Sequence, residues 1–489
     1  MKLYHLLERI YYTVINGSVD LNIEAIEHNS KEVIKGTVFV CIKGNRVDGH
    51  DYINQAIERG ACAIVTEKEV TVPDGTTLIL VNNTKQTLAY MAAAYYDYPA
   101  ERLVTIGITG TKGKTTTSYM IREILEHAGI STGLIGTIEV IIGKTSIQAD
   151  NTTPDALKIH HYLRQMVDQG LSVVVMEVSS QGLKLYRTAS ICFDYGIFTN
   201  IAPDHIGPGE HKNYKEYLEC KSMLMRQCRI GIVNKDSKDL GEILKGHTCK
   251  VKTYGMSHQA NLYAYGSSLV QRPSELGVQF FVGGMMNATM ELWMPGLSNI
   301  YNALAAIMVA MHFNISEKLI KEALYQIKVK GRLELVTVSP DFTVMIDYAH
   351  NAISLESVLK TLRSYDPARI VCLFGCGGNR AKIRRYEMAK VAARYADEIV
   401  VTSDNPREEA MEDIIYDITS TLDKEGVTYY AIADRVKAIH HTIEIAREGD
   451  IILLAGKGHE TYQEIKGVQY PMDERTILYN IKKQYLLNE

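Results

Sequence analysis

The chain has 489 residues, 46% of them apolar and 22% charged, with a net charge of −4. That length exceeds what a single hydrophobic core serves, so about two to four domains are expected. The negative balance argues against a basic nucleic-acid-binding face, and no run approaches the eighteen or so apolar residues of a membrane span.

The first residues, MKLYHLLERIYYTV, carry Glu8 and Arg9 inside an apolar run, which marks an amphipathic segment and not a signal peptide. Eight cysteines are scattered without CxxC or metal-type spacing and suit small buried hydrophobes in a reducing cytoplasm. Up to residue 100 the pattern alternates. Strands are expected at 37–42 and 61–65, and helices at 52–59 and 87–96, the last closed by Pro99. No catalytic constellation lies there, and a binding domain over 1–100 is the inference.

Residues 104–117 read VTIGITGTKGKTTT. A β-branched run predicts a strand buried on both faces. It breaks into Gly110, Thr111, Lys112 and Gly113, followed by Lys114, Thr115 and Thr116 at the head of a helical pattern over 118–127. Such a turn aims backbone N–H groups at one point and suits a polyphosphate, with Lys114 reaching outer phosphates and the Thr115 hydroxyl on Mg²⁺. The strict GxxxxGK[ST] spacing is not met, because Ile108 stands where the first glycine belongs.

Alternating strands and helices over 101–330 predict a doubly wound parallel sheet. The polar turn 151–155 opens a helix. The strand at 171–178 (LSVVVMEV) delivers Glu177 and Ser179 to the carboxyl edge of the sheet, and the strand at 193–199 exits toward Asp204 and His205. Ligands bind at that edge in open α/β folds. Asn299 and Asn302 read as caps of a helix over 303–311. After a basic joint at 329–332, four further strands end in charged or glycine-rich segments: 347–350, 375–380, 403–408 and 455–460.

Taken in order, these segments resemble the Mur ligase family, in its UDP-N-acetylmuramoyl-tripeptide synthetase branch. The matching motifs are TGTKGKTT at 109–116, NTTPD at 151–155, MEVSS at 176–180, FTN at 198–200 and DH at 204–205. They continue with GLSNIYNALAA at 296–306, GRLE at 331–334, DYAHN at 347–351, GCGGNR at 375–380, DNPRE at 404–408 and GKGHETYQ at 456–463.

The resemblance implies an α/β protein of three-domain Mur ligase architecture. A central P-loop-type doubly wound parallel sheet (101–330) would be flanked by an N-terminal α/β UDP-binding domain (1–100) and a C-terminal Rossmann-like α/β domain (331–489) that docks an amino acid. It implies an ATP-dependent carboxylate–amine ligase of peptidoglycan synthesis, cytoplasmic and monomeric, working with one or two Mg²⁺ ions. The acceptor would be UDP-N-acetylmuramoyl-L-alanyl-D-glutamate. Lys114, Glu177, His205 and Lys221 match catalytic positions. Thr115, Glu177, His205 and a carbamylated Lys221 match metal-supporting ones, while Asn302, Arg332 and Asp347 match contacts to adenine, phosphate and ribose. Ser30 stands where uridine is held, and Thr152, Thr153, Ser179 and Arg187 match contacts to the muramoyl dipeptide.

Arg380, Asp404, Asn405, Pro406, Arg407, Gly456 and Glu460 match the amino-acid site. DNPR goes with meso-diaminopimelate, because an arginine fork grips a second carboxylate that lysine lacks. The chain departs from the family pattern at APDHIGPGEHK (202–212), Gln181, Leu185, Lys112, Ala381 and Lys31. Together these departures keep open a paralogue that adds lysine or another amino acid, or that uses another acyl acceptor.

Overall fold

In a computed structural model, residues 1–44, 47–204, 206–207 and 210–488 are described, with side chains through residue 484. They form two compact units, Met1–Leu262 with Leu304–Ile315, and Tyr263–Ala303 with Ser316–Glu489.

In the first unit, β1 (Tyr12–Asn16), β2 (Ala25–Glu27), β3 (Thr37–Val40), β4 (Ala61–Thr66) and β5 (Thr77–Val81) form a sheet in the order β1-β5-β4-β3-β2. It is parallel apart from β1. The larger sheet contains β6 (Val104–Thr109), β7 (Thr132–Ile135), β8 (Glu139–Ile142), β9 (Thr145–Gln148), β10 (Val173–Glu177), β11 (Phe193–Phe198), β12 (Cys228–Asn234) and β13 (Lys250–Gly255). Their order is β13-β12-β11-β6-β10-β7-β8-β9. β6 lies between β10 and β11, both parallel to it. The chain therefore winds outward in both directions from β6, and a crevice opens at the carboxyl ends of these three strands. β10 is buried at every position, as its unbroken apolar run predicts.

In the second unit, β14 (Leu262–Arg272), β15 (Glu275–Gly284) and β16 (Ala288–Leu292) precede a six-stranded sheet. That sheet comprises β17 (Glu334–Val336), β18 (Thr343–Asp347), β19 (Ile370–Phe374), β20 (Glu398–Val401), β21 (Tyr430–Ala431) and β22 (Ile451–Ala455), in the order β17-β18-β22-β19-β20-β21. Only β17 is antiparallel within it. β23 (Tyr462–Ile465) and β24 (Val468–Pro471) make a separate hairpin.

Two sequence expectations shift. The helix after the glycine turn begins at Lys114, not at 118. The helix expected at 303–311 spans Ser298–His312, so Asn299 and Asn302 lie within it and are not its caps. Asn302 instead donates to Asn299 Oδ1 at 3.0 Å.

Candidate functional site

The glycine turn is built by close approach. Gly110 has φ +144°, and a Cβ there would fall 1.9 Å from Thr199 Oγ1, so only glycine fits. The end of β11 clamps the turn. Thr111 N donates to Asn200 O at 2.9 Å, Thr199 Oγ1 donates to Lys112 O at 2.7 Å, and Lys112 N donates to Asn200 Oδ1 at 2.9 Å. Thr111 Oγ1 lies 3.0 Å from the Tyr217 hydroxyl. Gly113, at φ +85°, leads into the helix whose first residues are Lys114, Thr115 and Thr116. The N–H groups of its first turn and the helix dipole suit an anion.

Lys114 Nζ folds back to Gly110 O at 2.9 Å and Thr111 O at 3.1 Å. Lys221, in the helix Tyr214–Ser222, is 2% exposed and reaches the same Gly110 carbonyl at 2.7 Å. Burial, with Lys114 nearby, holds its basicity well below that of an ordinary lysine.

Glu177 ends β10 fully buried, and Thr115 Oγ1 donates to its Oε2 at 3.0 Å. Thr137, just past β7, adds its N–H to Oε1 at 2.8 Å and its hydroxyl to Oε2 at 2.9 Å. A hydroxyl and a carboxylate are hard oxygen donors. Together they fit Mg²⁺, a hard cation that takes oxygen ligands. His205 lies outside the described residues.

The residues matched to the acyl acceptor meet beside Glu177. Thr153 Oγ1 donates to Glu177 O at 2.9 Å and lies 3.2 Å from Ser179 Oγ. Arg187 Nη1 donates to Thr153 O at 2.6 Å, and Thr152 Oγ1 lies 3.1 Å from Thr137 Oγ1. Ser30, 6% exposed, donates to Gln55 at 2.6 Å. Its neighbour His28 feels the charges of Asp155 and Arg187. In the departing loop, His211 is fully buried with Nε2 at 2.9 Å from Ser180 Oγ, beside Ser179.

In the second unit, Asp347 accepts from Leu333 N at 2.8 Å, and the Arg332 guanidinium lies 5.0 Å from the Tyr348 ring centroid. The strand-end segments expected to carry charged residues converge on one sheet edge. Gly456 N donates to Asp347 O at 3.0 Å, and a Cβ on Gly456 would meet Asp404 Oδ2 at 2.8 Å. Asn405 Nδ2 donates to Glu460 Oε2 at 2.9 Å. Arg407 donates to Gly378 O at 2.8 Å through Nη1 and to Glu464 Oε2 at 3.1 Å through Nε. Pro406 lies buried between these residues in the chain, whereas Arg380 is exposed.

At this sheet edge, two participants escaped the sequence reading. Lys457 is fully buried and bridges Asn405 Oδ1 at 2.8 Å and Glu460 Oε2 at 2.6 Å. Glu464 is the other. The GK of GKGHETYQ was visible as a motif, but nothing in its spacing marks the lysine as buried.

Family models match three stretches: "Mur ligase family, catalytic domain" at residues 22–96, "Mur ligase middle domain" at 108–310, and "Mur ligase, glutamate ligase domain" at 331–458. A protein of Clostridium perfringens named UDP-N-acetylmuramoyl-L-alanyl-D-glutamate--2,6-diaminopimelate ligase is 38% identical over 490 residues, covering 98% of this chain and 99% of that one. A protein of the same name from Bacillus licheniformis is 39% identical over 473 residues, covering 94% of this chain and 95% of its own. A solved structure bearing that name superposes with a TM-score of 0.71 at 25% identity, covering 99% of both chains.

Proposed function

The chain belongs to the Mur ligase family, and from that premise we propose that it joins meso-diaminopimelate to UDP-N-acetylmuramoyl-L-alanyl-D-glutamate in an ATP-dependent step of peptidoglycan synthesis, in the cytoplasm. The observation that carries the choice of amino acid is that one sheet edge holds both Arg407, fixed by Gly378 O and Glu464, and Glu460, fixed by Asn405 and Lys457. The far end of diaminopimelate is itself an amino acid, with one carboxylate and one ammonium. It calls for one cation and one anion at fixed separation, and Arg407 and Glu460 supply them.

Phosphoryl transfer between two anions needs charge neutralised and atoms aligned more than it needs an acid or a base. The acceptor carboxylate attacks the γ-phosphorus of ATP, the bond to the β-phosphate oxygen breaks, and ADP leaves. The amino-acid amine then adds to the acyl carbon and phosphate departs. Lys114 and the backbone N–H groups of Gly113–Thr116 would hold phosphates, and Thr115 and Glu177 would hold Mg²⁺, whose charge would offset that of the phosphates. Asn302, Arg332 and Asp347 take the adenine, phosphate and ribose roles. Thr152, Thr153, Ser179 and Arg187 orient the acceptor carboxylate, and Ser30 takes the uridine. As a carbamate, Lys221 would support a second metal ion, and the family resemblance gives His205 a metal-holding role. We assign residues 1–100, 101–330 and 331–489 to acceptor binding, ATP chemistry and amino-acid docking.

The test is ATP-dependent phosphate release with this acceptor across a panel of amino acids. Diaminopimelate should stimulate turnover and lysine should not. Stimulation by lysine alone would move the chain to the paralogue reading, and no stimulation by any amino acid would remove the acceptor assignment.

A further inference from the structure

The edge that gathers Arg407 and Glu460 carries one carboxylate that the amino-acid reading leaves without a task. We propose that Glu464 sets the selectivity of this site by competing, from within the protein, with the substrate's second carboxylate for the Arg407 guanidinium. The inference rests on the diaminopimelate reading above.

Glu464 lies on β23, and its Oε2 takes the Nε donor of Arg407 at 3.1 Å while Gly378 O takes Nη1 at 2.8 Å. The main chain is strapped to the same hairpin. Arg407 N donates to Glu464 O at 3.1 Å, and Lys466 N donates to Arg407 O at 2.8 Å. Arg407 sits at φ +54°, a left-handed backbone that a non-glycine residue keeps when its surroundings over-determine it. The guanidinium is therefore placed next to Glu464 by three separate bonds to one hairpin. A substrate carboxylate that grips this arginine does so alongside the Glu464 carboxylate.

Asn405 makes the arrangement stiff. Its Oδ1 accepts from Glu464 N at 2.9 Å and from Lys457 Nζ at 2.8 Å, and its Nδ2 donates to Glu460 at 2.9 Å. The group that reads the distal ammonium and the group that reads the distal carboxylate thus share one frame with Glu464. Arg407 and Glu464 are 25% and 29% exposed in their side chains, so solvent moderates the repulsion without abolishing it. Glu464 weakens the hold on a second carboxylate and leaves the hold on an ammonium intact. It narrows the gap between diaminopimelate and lysine.

Glu464→Gln keeps an oxygen acceptor for Arg407 Nε and removes the charge. The KM for diaminopimelate should fall about threefold to tenfold, the scale of a like-charge contact near a protein surface. The KM for lysine should not fall, so selectivity rises by the same factor, and added salt should shrink the difference. In an Arg407→Ala background the substitution should lower the KM for diaminopimelate by much less than it does with Arg407 present. Glu464→Ala removes the charge by a second route and should act in the same direction. An unchanged or raised KM for diaminopimelate in both variants, or an equal fall without Arg407, overturns the inference. If the unsubstituted protein shows no diaminopimelate-dependent phosphate release, the amino-acid assignment and this inference fall together. A normal response of the unsubstituted protein with unresponsive variants removes this inference alone.

Discussion

Lys221 and Lys114 meet at one carbonyl oxygen, with Nζ atoms 2.7 and 2.9 Å from Gly110 O. Two ammonium groups sharing one acceptor repel, and burial adds to the penalty on the inner one, so Lys221 is displaced toward its neutral form. A neutral amine adds CO₂, releasing a proton and forming a carbamate, and repulsion from Lys114 then becomes attraction. Incubation with ¹³C-bicarbonate should give a carbamate carbon resonance that Lys221→Arg abolishes, with a loss of turnover of about a hundredfold or more. A spectrum without that resonance would leave Lys221 an ordinary buried lysine. Lys114, Thr115 and Glu177 were legible because motif spacing and a strand end announce them. Thr137, His211, Lys457 and Glu464 were not, since their partners lie 40, 31, 52 and 57 residues away, and only the fold brings them together.

At the scale of elements, the sheets were readable where strands are buried on both faces. β10, β18, β19 and β22 are buried at every position; β19 and β22 are wholly apolar in sequence, and β10 and β18 carry apolar centres with polar residues only at their ends. β23 and β24 were not, because they bury no position fully and carry no periodic signal. The function of strand ends can be tested at Gly136, which follows β7. A Cβ there would fall 2.7 Å from Glu177 Oε1, an atom pinned by Thr137. Gly136 is absent from the positive-φ positions, so alanine suits its backbone and collides only with the carboxylate. Gly136→Ala should change the melting temperature little, by the equivalent of about 1 kcal/mol or less. It should raise the Mg²⁺ concentration needed for half-maximal activity as Glu177 is pushed from Thr115. An unchanged Mg²⁺ requirement would separate Glu177 from metal binding.

For the whole molecule, each unit carries a parallel sheet with its own buried core, and among the described residues no helix is long and apolar enough to cross a membrane. The alternation of strands and helices foretold both parallel sheets, whereas the β14–β16 stretch went unread because exposed polar positions interrupt it. Each unit also holds a histidine that stays neutral. His160 is fully buried against Ser190 Oγ at 2.8 Å, and burial alone lowers its pKa to about 3. His459 is held at about 3 by burial and by the charges of Arg332, Arg475 and Lys457. Both folded values lie below the unfolded value near 6.5. The unfolded chain therefore takes up protons that the folded chain refuses, and stability is full above pH 6.5 and lost as pH falls toward 3. Each histidine contributes a slope of up to about 1.4 kcal/mol per pH unit within that window. Melting followed by far-UV circular dichroism should show a midpoint that declines below pH 6.5. His160→Gln can still reach Ser190 but does not titrate, so it should flatten the decline whatever it does to the midpoint at pH 8. Equal slopes in the variant and the unsubstituted protein would place the acid sensitivity elsewhere.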